Sequence, residues 1–161
     1  MAADYIGELR EVVDAAAADL LTLSPEAAAR RPASGGWSIK EVVGHLIDSA
    51  SNNHQRFVRA HWQEDLVFGG YAQDDWVAAQ EYQSAPWPEL VALWREYNRQ
   101  IARVMAAVPT AVRYREHARH NLHEIAWVPV AASTTTTLDY LMRDYVGHLQ
   151  HHLRQIERLR T

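Results

Sequence analysis

The chain has 161 residues, 48% of them hydrophobic, with 16 Lys and Arg against 20 Asp and Glu for a formal charge of −4. That length supports one domain over residues 1–161 and excludes two large ones, while the net negative charge argues against a nucleic-acid partner held by phosphate neutralisation. Cysteine is absent, which excludes disulfides, cysteine zinc sites, iron–sulfur clusters and any thiol nucleophile belonging to the chain, so sulfur chemistry here would need an external thiol. The first thirty residues contain neither a basic n-region nor a continuous apolar h-region, and no apolar run approaches the roughly eighteen residues of a membrane span. A cytoplasmic protein without a membrane partner is expected.

Ile6, Leu9, Val12, Val13, Ala16, Leu20 and Leu21 recur at three- and four-residue steps, which predicts an amphipathic helix over 4–22. Ser24-Pro25-Glu26 reads as an N-cap with proline at the first helical position, opening a short extra turn. Ser38 with Glu41 is a capping box and starts a second long helix, expected to run over 38–62. Residues 63–86 carry the breakers Gly69-Gly70 and Pro86 around a short helix near 74–82. Trp87-Pro88-Glu89 opens a third long helix over 87–108. Residues 110–137 show no sustained period and are expected as a mobile polar loop, of a length that is often functional. Thr134–Thr137 offers a hydroxyl N-cap to a fourth long helix over 138–160. Four amphipathic helices and almost no strand signal predict an all-α fold, an antiparallel four-helix bundle.

Nine histidines make their arrangement the central question. The fourth helix reads Leu138, Leu141, Tyr145, His148, His152, Ile156, Leu159, so two histidines sit within its apolar stripe. At i and i+4 their Cβ atoms lie about 5–6 Å apart, close enough to share one ion. Such a pair is half a site, and two buried histidines bonded to carbonyls or hydroxyls would give the same spacing. His45, on the border of the second helix's stripe, is the candidate third ligand.

The stretch from Gly36 to Asp48, with Trp37-Ser38, Glu41, His45-Leu46 and Asp48, is followed a hundred residues later by Tyr145-Val146-Gly147-His148 and His152. Together these elements resemble the DinB/YfiT-like family of bacterial four-helix proteins, over nearly the whole chain. The resemblance implies an up-down-down-up four-helix bundle that dimerises, and a divalent metal, zinc or nickel, held by His45, His148 and His152. It further implies a metal-dependent transferase that activates a low-molecular-weight thiol such as bacillithiol or mycothiol. Three imidazoles leave one coordination position open, as in catalytic zinc sites. A metal-dependent hydrolase acting through water fits the same ligands, and a noncatalytic, metal-stabilised binding protein is the alternative outside the enzymes. A small-molecule substrate and a homodimer are therefore the expected partners.

Asp48, one turn after His45, and Asp144, one turn before His148, are candidates to accept an imidazole N–H and fix its tautomer; both also suit a solvated helix face. Gln155 and Tyr145 flank the pair, with Tyr145 expected in the core. His117, His120 and His123 are spaced by three and read as loop residues in preference to a second metal site. His54, His61 and His151 are expected to be solvated. Trp62, Trp76, Trp87, Trp94 and Trp127 are assigned to core and interface, and Trp76, Trp87 and Trp127 to the exposed side that a dimer would cover. The Glu-x-x-His pairs of a carboxylate di-iron bundle are missing, as are HExxH, GxSxG and a P-loop.

Overall fold

The computed structural model describes residues 4–161. Helix α1 (Tyr5–Leu20) starts at Asp4, whose carboxylate accepts the Gly7 N–H, and buries Ile6, Leu9, Val13, Ala17 and Leu20. Ser24 and Pro25 open the short α2 (Pro25–Ala29). Helix α3 (Ile39–Arg59) begins at the expected capping box: Ser38 accepts from the Glu41 N–H while Glu41 accepts from the Ser38 N–H. The Arg31 guanidinium also grips Glu41 and, with these bonds, holds its carboxyl below the usual range. Helix α4 (Gln73–Gln80) and a 3₁₀ turn (Tyr82–Ser84) follow, with Glu81 between them in the left-handed region at φ 48°. Helix α5 (Trp87–Ala107), two single turns α6 (Thr110–Arg113) and α7 (Leu122–Ile125), and α8 (Leu138–Leu159) complete the chain. Thr137 caps α8 by accepting the Tyr140 N–H.

The order of α1, α3, α5 and α8 around the core follows from their contacts. Each of α1 and α3 packs against both α5 and α8, so α1 faces α3 across one diagonal. Bonds between the helices fix their directions. The Trp87 indole N–H reaches the Leu20 carbonyl, and Arg95 and Arg99 pair with Asp14, so α5 runs against α1. Tyr5 bonds Asp139 and Arg160 bonds Asp19, so α8 runs with α1. Lys40 bonds the Gln83 carbonyl just before α5, and His54 meets Tyr97, so α3 and α5 run parallel. The bundle is up-down-down-up, and the fully antiparallel arrangement suggested by periodicity alone is corrected here. A parallel α3/α5 pair requires the chain to return along the bundle, a span of roughly 31 Å for 21 helical residues. Residues 60–86, with α4 and the 3₁₀ turn, supply that return.

Residues 110–137 are a second correction. The segment is pinned, because its polar groups find partners inside the protein. His117 and Thr136 exchange backbone hydrogen bonds, and Leu66 pairs with the backbone on both sides of His120. Imidazoles act as struts: His117 Nδ1 donates to the Glu64 carbonyl, and His120 Nε2 donates to that of Thr134 while its Nδ1 accepts the Leu122 N–H. Both rings are buried, around Leu66 and Leu122, which are fully so. Trp87 is likewise corrected from exposed to buried, since its indole fills the α1/α5 contact, whereas Trp62 lies 80% exposed and outside the core. Helix α3 stops at Arg59, before the expected 62, because His61, Trp62 and Gln63 turn back on Val58 and Arg59.

Two helical glycines give opposite expectations. A Cβ at Gly44 would overlap the Tyr82 ring, which is itself buried and hydrogen-bonded to Asp48. A Cβ at Gly147 would meet only the half-exposed Trp127 ring, at 3.0 Å. Gly44→Ala should therefore destabilise by about 1–3 kcal/mol through overpacking, while Gly147→Ala should be close to neutral, offset by up to about 1 kcal/mol of helix propensity. Denaturant melts of the two variants check this, and equal losses would contradict the packing described.

Candidate metal centre

Helix α3 carries His45 in its second turn and α8 carries His148 and His152 near its middle. Because α3 and α8 are antiparallel neighbours, the three rings meet at one level. His45 Nε2 lies 3.3 Å from His148 Nε2, and His148 Nε2 lies 3.0 Å from His152 Nε2. The ligand nitrogens of all three fall within 4.8 Å of one another, the one such group of three or more metal-ligating side chains among the described residues.

The other ring nitrogen of each histidine decides what these contacts mean. His152 Nδ1 lies 2.6 Å from Gln155 Oε1, an acceptor, so Nδ1 carries the hydrogen and Nε2 presents a lone pair. His148 Nδ1 faces the Ser49 hydroxyl at 3.4 Å. His45 Nδ1 is buried with no hydrogen-bond partner, and the Trp37 ring lies over this imidazole at a 5.0 Å centroid distance. Burial pushes the His45 and His148 pKa values down to about 3, with neighbouring imidazoles adding to the effect, and burial also lowers His152. With the hydrogen of each ring on Nδ1, neutral imidazoles turned Nε2 to Nε2 would place lone pairs against each other, an arrangement that suits a cation among them. A tetrahedral ion bound at about 2.0–2.1 Å would separate two ligand nitrogens by about 3.3 Å. The residues present fit a divalent metal.

Neither candidate carboxylate accepts an imidazole N–H. Asp48 Oδ1 is drawn instead to the Tyr82 hydroxyl at 2.6 Å and to Gln80 at 2.7 Å, while its Oδ2 is buried without a partner. Asp144 accepts the Trp127 and Val128 backbone N–H groups, both at 2.8 Å. Those amides belong to no helix, so the carboxylate anchors the loop to α8. Burial raises the pKa of both acids. The groups beside the outer ring nitrogens are instead the Gln155 amide oxygen, which accepts from His152, and the Ser49 hydroxyl at His148, and Ser49 was legible only as a residue one turn beyond His45. His151 lies off the cluster beside Trp127, His54 meets Tyr97, and His61 lies against Trp62. Tyr145 is buried, bonding Asn98 and stacking edge-on with Phe57.

A cavity of about 250 Å³ opens beside His45 and His148, bordered by Ser49, Asn53, Arg56 and Tyr71 on one side. Trp127, held down by Asp144, closes the other side, its ring 6.4 Å from that of His148. Arg56 shares the His45 face of α3 by its spacing of eleven residues, whereas Tyr71 has no such relation and only the return of residues 60–86 brings it to the site.

The imidazoles make the metal-free protein sensitive to acid. Their pKa values are depressed on folding, so the unfolded chain binds more protons between the ordinary value of 6.5 and about 3. Stability is fully retained above that window and is lost as pH falls through it. Asp48 and Asp144, raised by folding, act in the opposite sense, from their ordinary value of 3.8 upward. Thermal melts of metal-free protein should shift downward from about pH 7 to pH 5, with a shallower slope in His148→Gln; a flat profile in both proteins would contradict this burial.

The family model described as the DinB superfamily matches residues 6–156. A protein of Geobacillus thermodenitrificans named "Putative metal-dependent hydrolase" is 24% identical over 98% of this chain and 83% of its own length. YfiT of Bacillus subtilis, which carries the same descriptor, is 25% identical over 78% of this chain and 65% of its own length. The solved structure of YfiT, described as a probable metal-dependent hydrolase with an unusual four-helix bundle topology, superposes with a TM-score of 0.77 at 21% identity, covering 96% of this chain and 83% of that one. With its up-down-down-up helices, three facing histidines and a family match spanning nearly its full length, this chain belongs to the DinB superfamily.

Proposed function

We propose that His45, His148 and His152 bind one divalent ion through their Nε2 atoms, zinc or nickel as the DinB/YfiT resemblance implies, and that the cavity beside them activates a low-molecular-weight thiol for transfer to an electrophile. The convergence of three lone-pair nitrogens at 3.0 and 3.3 Å carries this reading. A divalent ion held by three neutral imidazoles leaves a position for an exogenous ligand and lowers the pKa of a coordinated thiol or water. Gln155 and Ser49 hold the rings in the tautomer that presents Nε2. Trp127 and its anchored loop limit water at the cavity wall.

Thiol chemistry is favoured by what the cavity lacks. Its acidic lining residues are Glu124, which is exposed, and Asp144, both of whose oxygens accept backbone N–H groups. Asp48 is turned away from the cavity to Tyr82 and Gln80, so among the described lining residues no buried carboxylate is left free to take a proton from water, whereas a thiol ionises from about 8.5 and needs less assistance. Hydrolysis is the second reading, favoured by the descriptors of the relatives. Self-association belongs to the same proposal, with Trp76 and Trp127 as the exposed aromatics it would cover.

Protein purified without an affinity tag should hold about one divalent ion per chain by elemental analysis. His45→Ala, His148→Ala and His152→Ala should each strongly reduce that content, and His54→Ala, His61→Ala and His151→Ala should not. Gln155→Ala should weaken metal affinity or activity by about 10–100-fold. Metal-loaded protein should accelerate conjugation of a small thiol to 1-chloro-2,4-dinitrobenzene, and metal removal should abolish the effect. Ester hydrolysis without thiol turnover would favour the second reading. Full metal content in the His148→Ala/His152→Ala double variant would overturn both.

A further inference from the structure

Arg56 is 5% exposed and lines the cavity beside the histidines, yet it forms no ion pair among the described residues. Its Nη1 donates to Asn53 Oδ1 at 3.4 Å and its Nη2 to the Gly69 carbonyl at 2.9 Å. A guanidinium has about five N–H donors in a fork shaped for oxyanions, so these bonds leave most of its capacity unused. A buried charge is retained at a cost unless something pairs with it. The same side chain also lines an adjoining cavity of about 350 Å³, which includes Arg59 and no acidic residue. This is a cationic recess in a chain whose net charge is −4.

Its place relative to the histidines is set by α3. Arg56 follows His45 by eleven residues, about three turns, so both lie on one helical face, roughly 16 Å apart along the axis. Ser49 and Asn53 occupy the same face between them and line the same cavity. We infer that Arg56 anchors an oxyanion, carboxylate or phosphate, on the molecule that reacts at the histidines. The ligand is then an elongated anion, with its reactive end at His45, His148 and His152 and its charged end at Arg56. Paired with two oxygens, the guanidinium gains the counter-charge that its protein neighbours do not provide. This inference rests on the proposed metal-thiol chemistry for the identity of the reactive end, but not for the anion.

Cobalt-loaded protein allows direct observation, because thiolate coordination gives a visible absorption band. Titration with 3-mercaptopropionate, 6-mercaptohexanoate and 8-mercaptooctanoate should be compared with titration by the mercaptoalkanols of the same lengths. At the best length the acid should bind at least about tenfold tighter than its alcohol, and Arg56→Met should remove that difference while helical signal and cobalt content stay unchanged. Arg56→Lys should retain part of it. Equal affinities of acids and alcohols in the unaltered protein would overturn the inference, whatever the variants do. If no thiol reaches the metal, octanoate and octylphosphonate binding to the unaltered protein and Arg56→Met, followed by NMR, decides the subsite separately. Binding dependent on Arg56 keeps the anion site and discards the thiol reading, with the preferred ligand distinguishing carboxylate from phosphate; no such binding discards both.

Discussion

Three imidazoles can share the interior of a helical bundle only if they stay neutral and their ring hydrogens point away from one another. Burial serves the first condition, and Gln155 serves the second at His152. Burial keeps the protons off His45 and His148, and the Gln155 amide oxygen draws the ring hydrogen of His152 to its far side. The outcome is three ring nitrogens converging on one region, an arrangement that a divalent cation would stabilise. The surrounding architecture serves this constraint: Trp37 covers His45, and Gly44 leaves room for the Tyr82 ring one residue before it.

The parallel pairing of α3 and α5 has a second consequence. Because the chain must travel the length of the bundle between them, residues 60–86 pass over the face of α3 that carries His45, Ser49, Asn53 and Arg56. Tyr71 and Gly70 thereby become cavity walls. The segment between α5 and α8 supplies the opposite wall, with His117, His120 and Asn121 locking it to residues 64–68 and Asp144 locking Trp127 to α8. The candidate metal centre and its cavity thus come from two neighbouring helices far apart in sequence, α3 and α8, and from the two longest connections.

Features that depend on neighbouring residues were legible in the sequence. The capping box at Ser38, the proline-opened turn at Pro25, the Thr137 cap and the i, i+4 histidine pair are all local patterns, and each lies where its spacing placed it. The contribution of His45 was legible through the motif around it. Tertiary partners were not. Asp48 and Asp144 had the spacing of imidazole acceptors, but spacing cannot reveal that Tyr82 or two loop amides compete for them. His117 and His120 looked like solvated loop residues because struts to distant carbonyls leave no periodic trace. Trp87 was grouped with Trp76 and Trp127 on the exposed side, although its indole reaches back to the end of α1. Arg56 had the spacing of the His45 face but no sign of its burial, since a single arginine in the last turn of a helix ordinarily lies in water.

In the proposed function the histidines form the inner ligand set of one divalent ion, with a position left for a thiol. X-ray absorption of zinc-loaded protein tests it most directly. The expected spectrum has about three nitrogens at about 2.0–2.1 Å with the outer scattering of imidazole rings, and on adding thiol one sulfur at about 2.3 Å. An inner shell made of carboxylate oxygens, without imidazole scattering, would contradict it.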